Sequence, residues 1–395
     1  MNGEKRYEIV LRDLESLLRK RLGPETRLLN YETSPFTKEG DNYGSTMLRA
    51  QATIEKSADD EGPTELNLVA KMMPPTDIQR KIFQSLFTFK KEIFVYDELL
   101  PKYEEVLGER LDIVPAVFGS RLSLKPDSDE VDDDAVILME NMKLKGYYMA
   151  DRHRGLDLEH MRAAITSLAK FHAIGISIKH KAPEFLPRIE RFSKTMLTGL
   201  DEIRHVIDMQ LTAIKNDPEI GEFYEKIKAT CDPDELSTYY TELAVDHPWA
   251  CVVHADFWLN NALMHKNAEG RVDDCKLVDF QTYYTSSPLT DLVFLLCTSL
   301  RVPHEGFDEL LETYRGEAAR VLTKLDCPQA LELFAREKFD ERLRLDAGAE
   351  LLHLIEMSKI VEQREGEVYE ESPPNEHTMR RLRSIFDVYK RKQWI

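Results

Sequence analysis

The chain has 395 residues, of which 42% are hydrophobic and 31% charged, a balance typical of a globular protein with ample material for a core. Its formal net charge of −18 argues against a protein that binds nucleic acid or an anionic membrane surface, because both attract basic surfaces. The length predicts two domains, or two lobes that share a cleft.

The N-terminal part of the chain mixes helix and strand patterns. Apolar residues at helical spacing over residues 5–22 predict an amphipathic helix. Three strands are expected to follow, over residues 27–33, 46–55 and 66–72. The polar and acidic residues 55–63 are expected at a hairpin tip between the second and third strands.

A longer helix is predicted over residues 78–100, and Pro101 is expected to end it. Two more strands are predicted over residues 113–124 and 135–139. The acidic run between them is typical of a solvated loop. The expected buried side of the helix consists of apolar residues: Ile82, Phe83, Leu86, Phe87, Ile93 and Val95.

Beyond residue 142 the pattern is mainly helical. Apolar residues from Leu158 onward form one helical stripe that includes His172, which we expect to be a satisfied core residue. Residues 139–142 are interpreted as a short connector between a mixed helix-and-strand region and this helical region.

The stretch from residue 252 to residue 296 carries the strongest chemical signal. An HxD motif ends at Asp256, Asn261 follows five residues later, and a second apolar strand runs into a DFQ motif that begins at Asp279. Phosphoryl transfer needs a carboxylate near the acceptor hydroxyl and metal at the phosphate oxygens. Asp256 can accept the hydroxyl proton, and Asn261 and Asp279 offer the oxygens that magnesium prefers. The alternative interpretation is a strand pair capped by Asp and Asn side chains.

With its FW and NN pairs and its DFQ motif, this stretch resembles the ecdysteroid-kinase-like, or CHK kinase-like, family, which is similar to choline kinases and aminoglycoside phosphotransferases. The resemblance extends over nearly the whole chain. It implies an α+β, protein-kinase-like two-lobed fold. The N-lobe, residues 1–142, would hold a five-stranded antiparallel sheet and one main helix, and the C-lobe, residues 143–395, would be mostly helical. It also implies ATP and Mg²⁺ as cofactors.

The resemblance assigns roles to five residues of this stretch. Asp256 is implied as the catalytic base, and Asn261 and Asp279 as magnesium ligands. His254 is implied to brace the catalytic loop. Asp291 is implied to accept hydrogen bonds from that loop, which is physically sensible because an unpaired buried carboxylate would be costly.

Ala255 and Trp258 depart from the patterns of related kinases. Family members usually have glycine at the position of Ala255, where a methyl group is tolerable if the backbone φ is negative. Protein kinases place lysine where this chain has Trp258. Asp291 also follows Asp279 by only twelve residues, which leaves little room for a peptide-docking loop. A small-molecule acceptor is therefore favoured over a protein acceptor.

The N-terminal half is expected to supply the nucleotide site. Lys71, late in an apolar strand, can reach the ATP phosphates, and Glu92 can pair with it, with Asp97 as the less favoured partner. The turn at residues 40–45 is placed to cover phosphates, although no Walker motif occurs, and residues 139–142 resemble the hinge that meets adenine. The predicted nucleotide contacts are Lys71, Glu92, Gly40, Asn42, Gly44, Ser45, Glu140 and Met142.

The sequence thus predicts an ATP-dependent phosphotransferase that acts on the alcohol group of a small molecule, with an ecdysteroid or a lipophilic xenobiotic alcohol as the implied acceptor. The helical residues 181–250 are expected to form much of the acceptor pocket. The alternative is a nucleotide-binding pseudokinase or a small-ligand carrier without turnover. Five aromatic residues beside the catalytic segment belong either to the core or to this pocket: Trp249, Phe257, Trp258, Tyr283 and Tyr284.

The cysteines and the N-terminal residues bear on the compartment. The five cysteines are widely spaced without a CxxC motif, so neither a disulfide framework nor a zinc site is expected. No stretch reaches the ~18 apolar residues of a membrane span, and no apolar signal region follows the first residues. We predict a cytoplasmic protein that does not contact membranes, and the sequence shows no sign of an obligate protein partner.

Overall fold

The structure is a computed structural model that describes residues 7–36, 44–56, 62–126, 128–193, 200–232, 236, 239, 243–302, 306–363 and 373–395. The chain divides into two compact units. The first comprises Met1–Tyr147 and the short segment Val278–Thr282, and the second comprises Tyr148–Leu277 and Tyr283–Ile395. The chain therefore returns once to the first unit, a feature that the predicted division at residue 142 does not include.

A five-stranded sheet forms the centre of the first unit. Its strands are β1 (Arg27–Pro35), β2 (Thr46–Glu55), β3 (Thr64–Met72), β4 (Val117–Arg121) and β5 (Val136–Glu140). They are arranged in the order β1-β2-β3-β5-β4, and all neighbours are antiparallel. Along β2 the alternate residues Ala50, Ala52 and Ile54 are buried, as expected for a strand with one covered face. The predicted antiparallel N-terminal sheet is confirmed.

Helix α1 (Leu14–Leu22) covers one face of this sheet, and its leucines share an apolar cluster with β2, β3 and β5. The helix begins at Leu14, so the predicted helix over residues 5–22 is too long. Ile9 and Leu11 join the same cluster from the segment before the helix. Asp13, with φ +47°, separates that segment from α1. Leu11 is buried and Ile9 partly buried in a segment that is not helical, so these two residues give an apolar pattern without forming a helix.

The predicted helix over residues 78–100 consists of several segments. They are α2 (Asp77–Ile82), α3 (Ser85–Phe94), a π-helical segment (Val95–Leu99) and α4 (Leu100–Leu107). The prediction that Pro101 ends the helix is wrong. Pro101 lies in the first turn of α4, where the missing N–H and the fixed φ of proline are tolerated.

The predicted buried side of this region is only partly right. Ile93 and Val95 are buried, whereas 66% of Ile82 and 57% of Leu86 are exposed. Gln84, with φ +44°, interrupts the helix between α2 and α3, and the π-helical segment changes the number of residues per turn. One helical period therefore cannot be extended over the whole region.

The second unit is mostly helical, as predicted. Its α-helices are α5 (Leu158–Lys181), α6 (Leu186–Phe192), α7 (Leu200–Lys215), α8 (Tyr224–Thr230), α9 (Pro288–Ser299), α10 (Phe307–Lys324), α11 (Pro328–Leu331), α12 (Arg336–Glu362) and α13 (Glu376–Lys392). Every residue of α9 is buried, and α9 packs against α12. Within the described ranges, no helix combines the length and the apolarity that crossing a bilayer requires.

Two small antiparallel sheets complete the second unit. One pairs β7 (Cys251–Val253) with β10 (Tyr284–Ser286), and the other joins β6 (Tyr148–Met149), β8 (Ala262–Lys266) and β9 (Val272–Leu277). The loop between β7 and β8 carries the HxD motif, and the segment after β9 carries the DFQ motif.

Candidate active site

The HxD motif lies in a short loop that leaves β7 and enters β8 through a 3-10 turn over Leu259–Asn261. The side-chain amide of Asn261 donates from Nδ2 to the backbone oxygen of Asp256 at 2.7 Å and to its Oδ2 at 3.0 Å. These two hydrogen bonds fix the orientation of the amide. Oδ1 of Asn261 is then the oxygen that the amide can offer to another partner.

The carboxylate of Asp291, buried in the first turn of α9, holds this loop. Its Oδ2 accepts a hydrogen bond from the backbone N–H of His254 at 2.6 Å, and its Oδ1 accepts one from that of Ala255 at 2.9 Å. Burial would raise the pKa of Asp291, but its interactions with His172, His254 and Ala255 outweigh burial and lower the pKa. Asp291 therefore remains ionised and anchors the loop.

His172 on α5 belongs to the same network. The residue is fully buried, with Nε2 at 3.0 Å from Oδ2 of Asp291 and Nδ1 at 2.9 Å from the hydroxyl of Tyr314 on α10. It is a satisfied core residue, as expected, and it also orients Asp291. The sequence indicated its burial through the apolar stripe but gave no signal of its partners.

The backbone at Ala255 contradicts the expectation that φ is negative there. Its φ is +65°, in the left-handed region that costs a non-glycine residue about 1–2 kcal/mol. The condition under which the methyl group would be harmless is therefore not met. The hydrogen bond from the Ala255 N–H to Asp291 helps to hold this strained conformation.

In the first unit, Lys71 is held between two carboxylates. Its Nζ lies 2.6 Å from Oε2 of Glu92 and 2.8 Å from Oδ1 of Asp279. Lys71 and Glu92 are buried, while 32% of the Asp279 side chain is exposed. The less favoured candidate, Asp97, instead accepts a hydrogen bond from Ser120 at 2.5 Å. The cluster thus joins β3, α3 and the DFQ motif.

The charges of this cluster are set by burial and by mutual attraction. Burial would lower the pKa of Lys71, but the carboxylates of Asp279 and Glu92 outweigh burial and raise it. Burial raises the pKa of Glu92 to about 7, against the attraction of Lys71. Lys71 therefore stays a cation, and a fixed ammonium group of this kind can bind phosphate oxygens.

Tyr96 and Phe280 pack beside the cluster, a contact that sequence reasoning missed. Their ring centroids are 5.8 Å apart with perpendicular planes, a favourable edge-to-face geometry. Tyr96 lies in the π-helical segment, one turn beyond Glu92. No local pattern distinguishes this tyrosine from other core aromatics, so only the fold reveals that it packs against the DFQ motif.

The predicted phosphate-covering turn is described only in part. Gly40 and Asn42 lie outside the described residues. Gly44 and Ser45 directly precede β2. A Cβ atom added at Gly44 would lie 3.6 Å from Oε1 of Gln281, so this end of the turn passes close to the DFQ motif. The contact of these four residues with nucleotide remains a prediction.

The predicted hinge residues lie at the end of β5. The backbone N–H of Glu140 donates to the oxygen of Ala116 at 2.8 Å, and the Glu140 side chain pairs with Lys145 at 2.7 Å. Met142 is buried in the 3-10 turn that follows the strand. Their contact with adenine likewise remains a prediction.

Most aromatic residues beside the catalytic segment belong to the core. The hydroxyl of Tyr283 donates to the backbone oxygen of Phe192 at 3.0 Å. Only Tyr284 is half-buried, and the fully packed residues are Trp249, Phe257, Trp258 and Tyr283.

The candidate metal ligands are an amide and a carboxylate. Among the described residues, no group of three or more His, Cys, Asp or Glu side chains is arranged to hold a metal ion. The amide oxygen of Asn261 and the part-exposed carboxylate of Asp279 are hard oxygen donors. This donor chemistry fits Mg²⁺ and does not fit zinc, which favours nitrogen and sulfur ligands.

The fold and the two groups of residues define an α+β protein of the protein-kinase-like class. The model of the ecdysteroid kinase-like family matches residues 39–327. The chain therefore belongs to the ecdysteroid kinase-like family, a family of kinase-like phosphotransferases, and the resemblance drawn from its motifs is confirmed.

Several solved structures are similar over most of the chain. A choline kinase from Cryptosporidium parvum Iowa II is 13% identical with a TM-score of 0.47, over 91% of this chain and 90% of that chain. A Plasmodium vivax ethanolamine kinase is 9% identical with a TM-score of 0.42, over 92% of this chain and 84% of that chain. An aminoglycoside phosphotransferase from Streptomyces rimosus, in complex with ADP and streptomycin, is 14% identical with a TM-score of 0.37, over 80% of this chain and 94% of that chain. No curated protein sequence matches the chain.

Proposed function

We propose that this protein transfers the γ-phosphoryl group of ATP to a hydroxyl of a small molecule. The observation that carries the proposal is the double salt bridge of Lys71 with Glu92 and Asp279. A buried ion cluster is weak evidence for a purely stabilising role, because desolvation cancels much of its attraction. Phosphate binding by a cation held in this way gives the cluster a function, and membership of a kinase-like family supports it.

In the proposed reaction, Asp256 takes the proton of the acceptor hydroxyl while the hydroxyl oxygen attacks the γ-phosphorus. A new oxygen–phosphorus bond forms, and the bond from the γ-phosphorus to the β,γ-bridging oxygen breaks, so that ADP leaves with the electron pair of that bond. Lys71 binds the ATP phosphates. The hydrogen bond from Asn261 to Oδ2 of Asp256 orients the carboxylate, and Asp291 keeps the loop in place.

Asn261 and Asp279 are the residues proposed to hold Mg²⁺, which would neutralise the negative charge that develops during phosphoryl transfer. The register of the β8–β9 hairpin supports this assignment, because Ala262 pairs with Leu277. Asn261 directly precedes the first of these residues, and Asp279 follows the second by two positions. The two candidate ligands therefore flank the same end of the hairpin along the chain.

The proposed acceptor is an ecdysteroid or another lipophilic alcohol, and the proposed compartment is the cytoplasm. Family membership supports the proposed acceptor. The absence of a lysine two residues after Asp256 argues against a protein acceptor. The pseudokinase alternative would be favoured by the loss of a reactive group. Lys71, Asp256 and Asp279 are all present, and the salt bridge between Lys71 and Glu92 supports a role of Lys71 in binding phosphate.

The test is Mg²⁺-dependent ATP turnover with a pooled library of steroid and xenobiotic alcohols. We expect acceptor-stimulated release of ADP from the wild type and a loss of at least ~100-fold in Asp256→Asn, the scale of a lost general base. Asp387→Asn, at an exposed ion pair on α13, is the matched control and should retain full activity.

Two results would contradict the proposal. Equal turnover by the wild type and Asp256→Asn would show that this carboxylate is not the base. Binding of ATP without turnover across the whole library would favour the pseudokinase.

A further inference from the structure

A cavity of about 240 Å³ in the second unit is lined mainly by basic side chains. Among its described lining residues, Glu362 is the single carboxylate. The chain as a whole has a net charge of −18, so the charge around this cavity is opposite in sign to that of the molecule. The proposed reaction uses none of these residues. The basic residues that line this basic cavity are His153, Arg154, Arg301, His377, Arg380 and Arg381.

One wall of the basic cavity is a face of α13. Residues at helical spacing form this face: His377, Arg380, Arg381 and Ser384. The guanidinium group of Arg381 is held in place, because its Nε donates to Oε1 of Glu362 at 2.8 Å. Its Nη1 donates to the backbone oxygens of Cys297 at 3.3 Å and Thr298 at 3.1 Å, at the end of α9. These bonds leave Nη2 of Arg381 without a hydrogen-bond partner among the described residues.

The opposite wall is the loop before α5, which is bonded to the segment after α9. The backbone N–H of Leu156 donates to the oxygen of Ser299 at 2.7 Å, and that of Arg301 donates to the oxygen of Leu156 at 2.8 Å. The Nε of Arg301 donates to the backbone oxygen of Arg154 at 3.1 Å. A Cβ atom added at Gly155, where φ is +66°, would lie 2.9 Å from Cα of Arg301, so glycine permits this close approach. The two arginines are therefore placed by backbone contacts.

The positive charges of the basic cavity are only partly balanced. Arg301 and Arg380 are exposed, and neither forms a salt bridge with a carboxylate in the part of the chain that the structure describes. Arg154 has one distant ion pair, with Asp151 at 3.4 Å, and the carboxylate that lines the cavity is already bonded to Arg381. Like charges around one cavity repel each other, and a bound anion would remove this repulsion.

We propose that the basic cavity binds a small anion with several negative charges, of the phosphate or pyrophosphate class. The planar guanidinium group of arginine matches the oxygens of a phosphate group with two parallel hydrogen bonds. The cavity is smaller than the about 300–1,000 Å³ of sites for drug-sized ligands, which favours a small anion. A nucleic acid would need an extended basic surface, and the net charge of the chain repels it. The inference does not depend on the proposed reaction.

The test is isothermal titration calorimetry of the full chain with inorganic pyrophosphate, in the absence of divalent cations and at low salt. We expect saturable binding by the wild type that weakens as the salt concentration is raised. Arg301→Gln and Arg380→Gln should each raise the Kd at least about tenfold, the scale of a lost hydrogen bond between charged groups. Both side chains are exposed, so both variants should keep the circular dichroism spectrum of the wild type.

The matched control is Arg391→Gln. Arg391 is an exposed arginine of the same helix, α13, but it pairs with Asp387 and does not line the basic cavity. The substitution removes the same charge from the molecule, and screening limits its effect at a distance. We expect it to raise the Kd for pyrophosphate by less than about twofold.

Three results would overturn the inference. The first is a wild type that shows no saturable binding of pyrophosphate. The second is binding that Arg301→Gln and Arg380→Gln leave unchanged, which would place the anion at another cation, such as Lys71. The third is a loss in Arg391→Gln as large as in these variants, which would reflect net charge alone. Since none of these measurements involves turnover, failure of the proposed function would leave the inference intact, and the reverse also holds.

Discussion

Two residues in the left-handed region of backbone space lie within the groups proposed for chemistry. Ala255 has φ +65° and Asp279 has φ +70°. Each is held by an ionic contact, the first through its N–H to Asp291 and the second through its carboxylate to Lys71. Hydrogen bonds to charged groups contribute about 1.5–3 kcal/mol, which is enough to offset a left-handed penalty of about 1–2 kcal/mol.

Replacement of Ala255 by glycine should stabilise the protein slightly. Glycine removes the left-handed penalty of about 1–2 kcal/mol but adds about 0.5–1 kcal/mol of chain entropy to the unfolded state. We therefore expect Ala255→Gly to raise the free energy of unfolding by up to about 1 kcal/mol, measured by urea unfolding.

The matched control is Ala262→Gly, at the start of β8, where φ is −120° and the methyl group is buried. Glycine removes no left-handed penalty at this position and still adds chain entropy to the unfolded state. This variant should therefore be destabilised by about 1 kcal/mol. A loss of stability in Ala255→Gly as large as that of the control would show that the left-handed φ carries no strain.

Asp291→Asn should destabilise the protein by about 2–3 kcal/mol at pH 7, because an amide replaces an ionised acceptor of buried hydrogen bonds. The folded-state pKa of Asp291 lies below 3.8, so its stabilising contribution is complete above that pH and is lost as the pH falls further. The difference between variant and wild type should shrink below about pH 4. Urea unfolding from pH 7 down to pH 3 measures it, and a difference independent of pH would contradict the role of the charge.

At the scale of elements, the packing of α1 on β4 depends on a glycine. A Cβ atom added at Gly119 would lie 2.6 Å from the backbone oxygen of Leu17, a contact that a side-chain rearrangement cannot relieve. Gly119→Ala should therefore push α1 away from the sheet and lower the free energy of unfolding by about 1–3 kcal/mol, measured by urea or thermal unfolding.

Gly316→Ala provides the control of opposite sign. Gly316 is an exposed residue inside α10, and an added Cβ would meet no atom within 4 Å. Alanine favours helix over glycine by about 0.5–1 kcal/mol, so this variant should be more stable than the wild type. Similar effects of the two substitutions would mean that the close approach of Leu17 does not determine the packing.

Elements with one regular period were predictable, and interrupted ones were not. The strand predicted over residues 46–55 has these bounds in the structure, Thr46–Glu55, and burial along its second half repeats every two residues. The buried positions over residues 78–107 do not follow a single helical period. Gln84 and the π-helical segment each change the direction in which the next side chains point. Such interruptions depend on tertiary packing, which the local pattern does not contain.

The same distinction applies to the candidate site. Asp256, Asn261 and Asp279 could be predicted as site residues because the short separations between them along the chain indicate a loop and a hairpin. His172 contacts Asp291, and Tyr96 contacts Phe280, from elements distant in sequence. No spacing rule connects residues 119 positions apart, as His172 and Asp291 are, so only the folded structure shows these partners.

At the scale of the whole molecule, the chain leaves the first unit at Tyr147 and returns to it over Val278–Thr282. The salt bridge from Lys71 to Asp279 links residues 208 positions apart and fastens this returning segment to β3. The edge-to-face contact of Phe280 with Tyr96 fastens the same segment to the helical side of the first unit. The DFQ motif is therefore a structural part of the first unit, although the residues on both sides of it belong to the second.

The losses of unfolding free energy caused by removing Lys71 and by removing Glu92 should not be additive. Lys71→Met leaves the buried carboxylate of Glu92 without its partner, and breaking such a pair costs about 3–5 kcal/mol. Lys71→Met/Glu92→Gln removes both charges, so its loss of unfolding free energy should be smaller than the sum of the two single losses. Urea unfolding followed by circular dichroism gives the losses for Lys71→Met, Glu92→Gln and the double variant.

The control is Lys338→Met, at an ion pair with Glu332 whose two side chains are 50% and 69% exposed. It should change the free energy of unfolding by no more than about 0.5 kcal/mol. Additive losses in the double variant would show that Lys71 and Glu92 contribute to stability independently of each other.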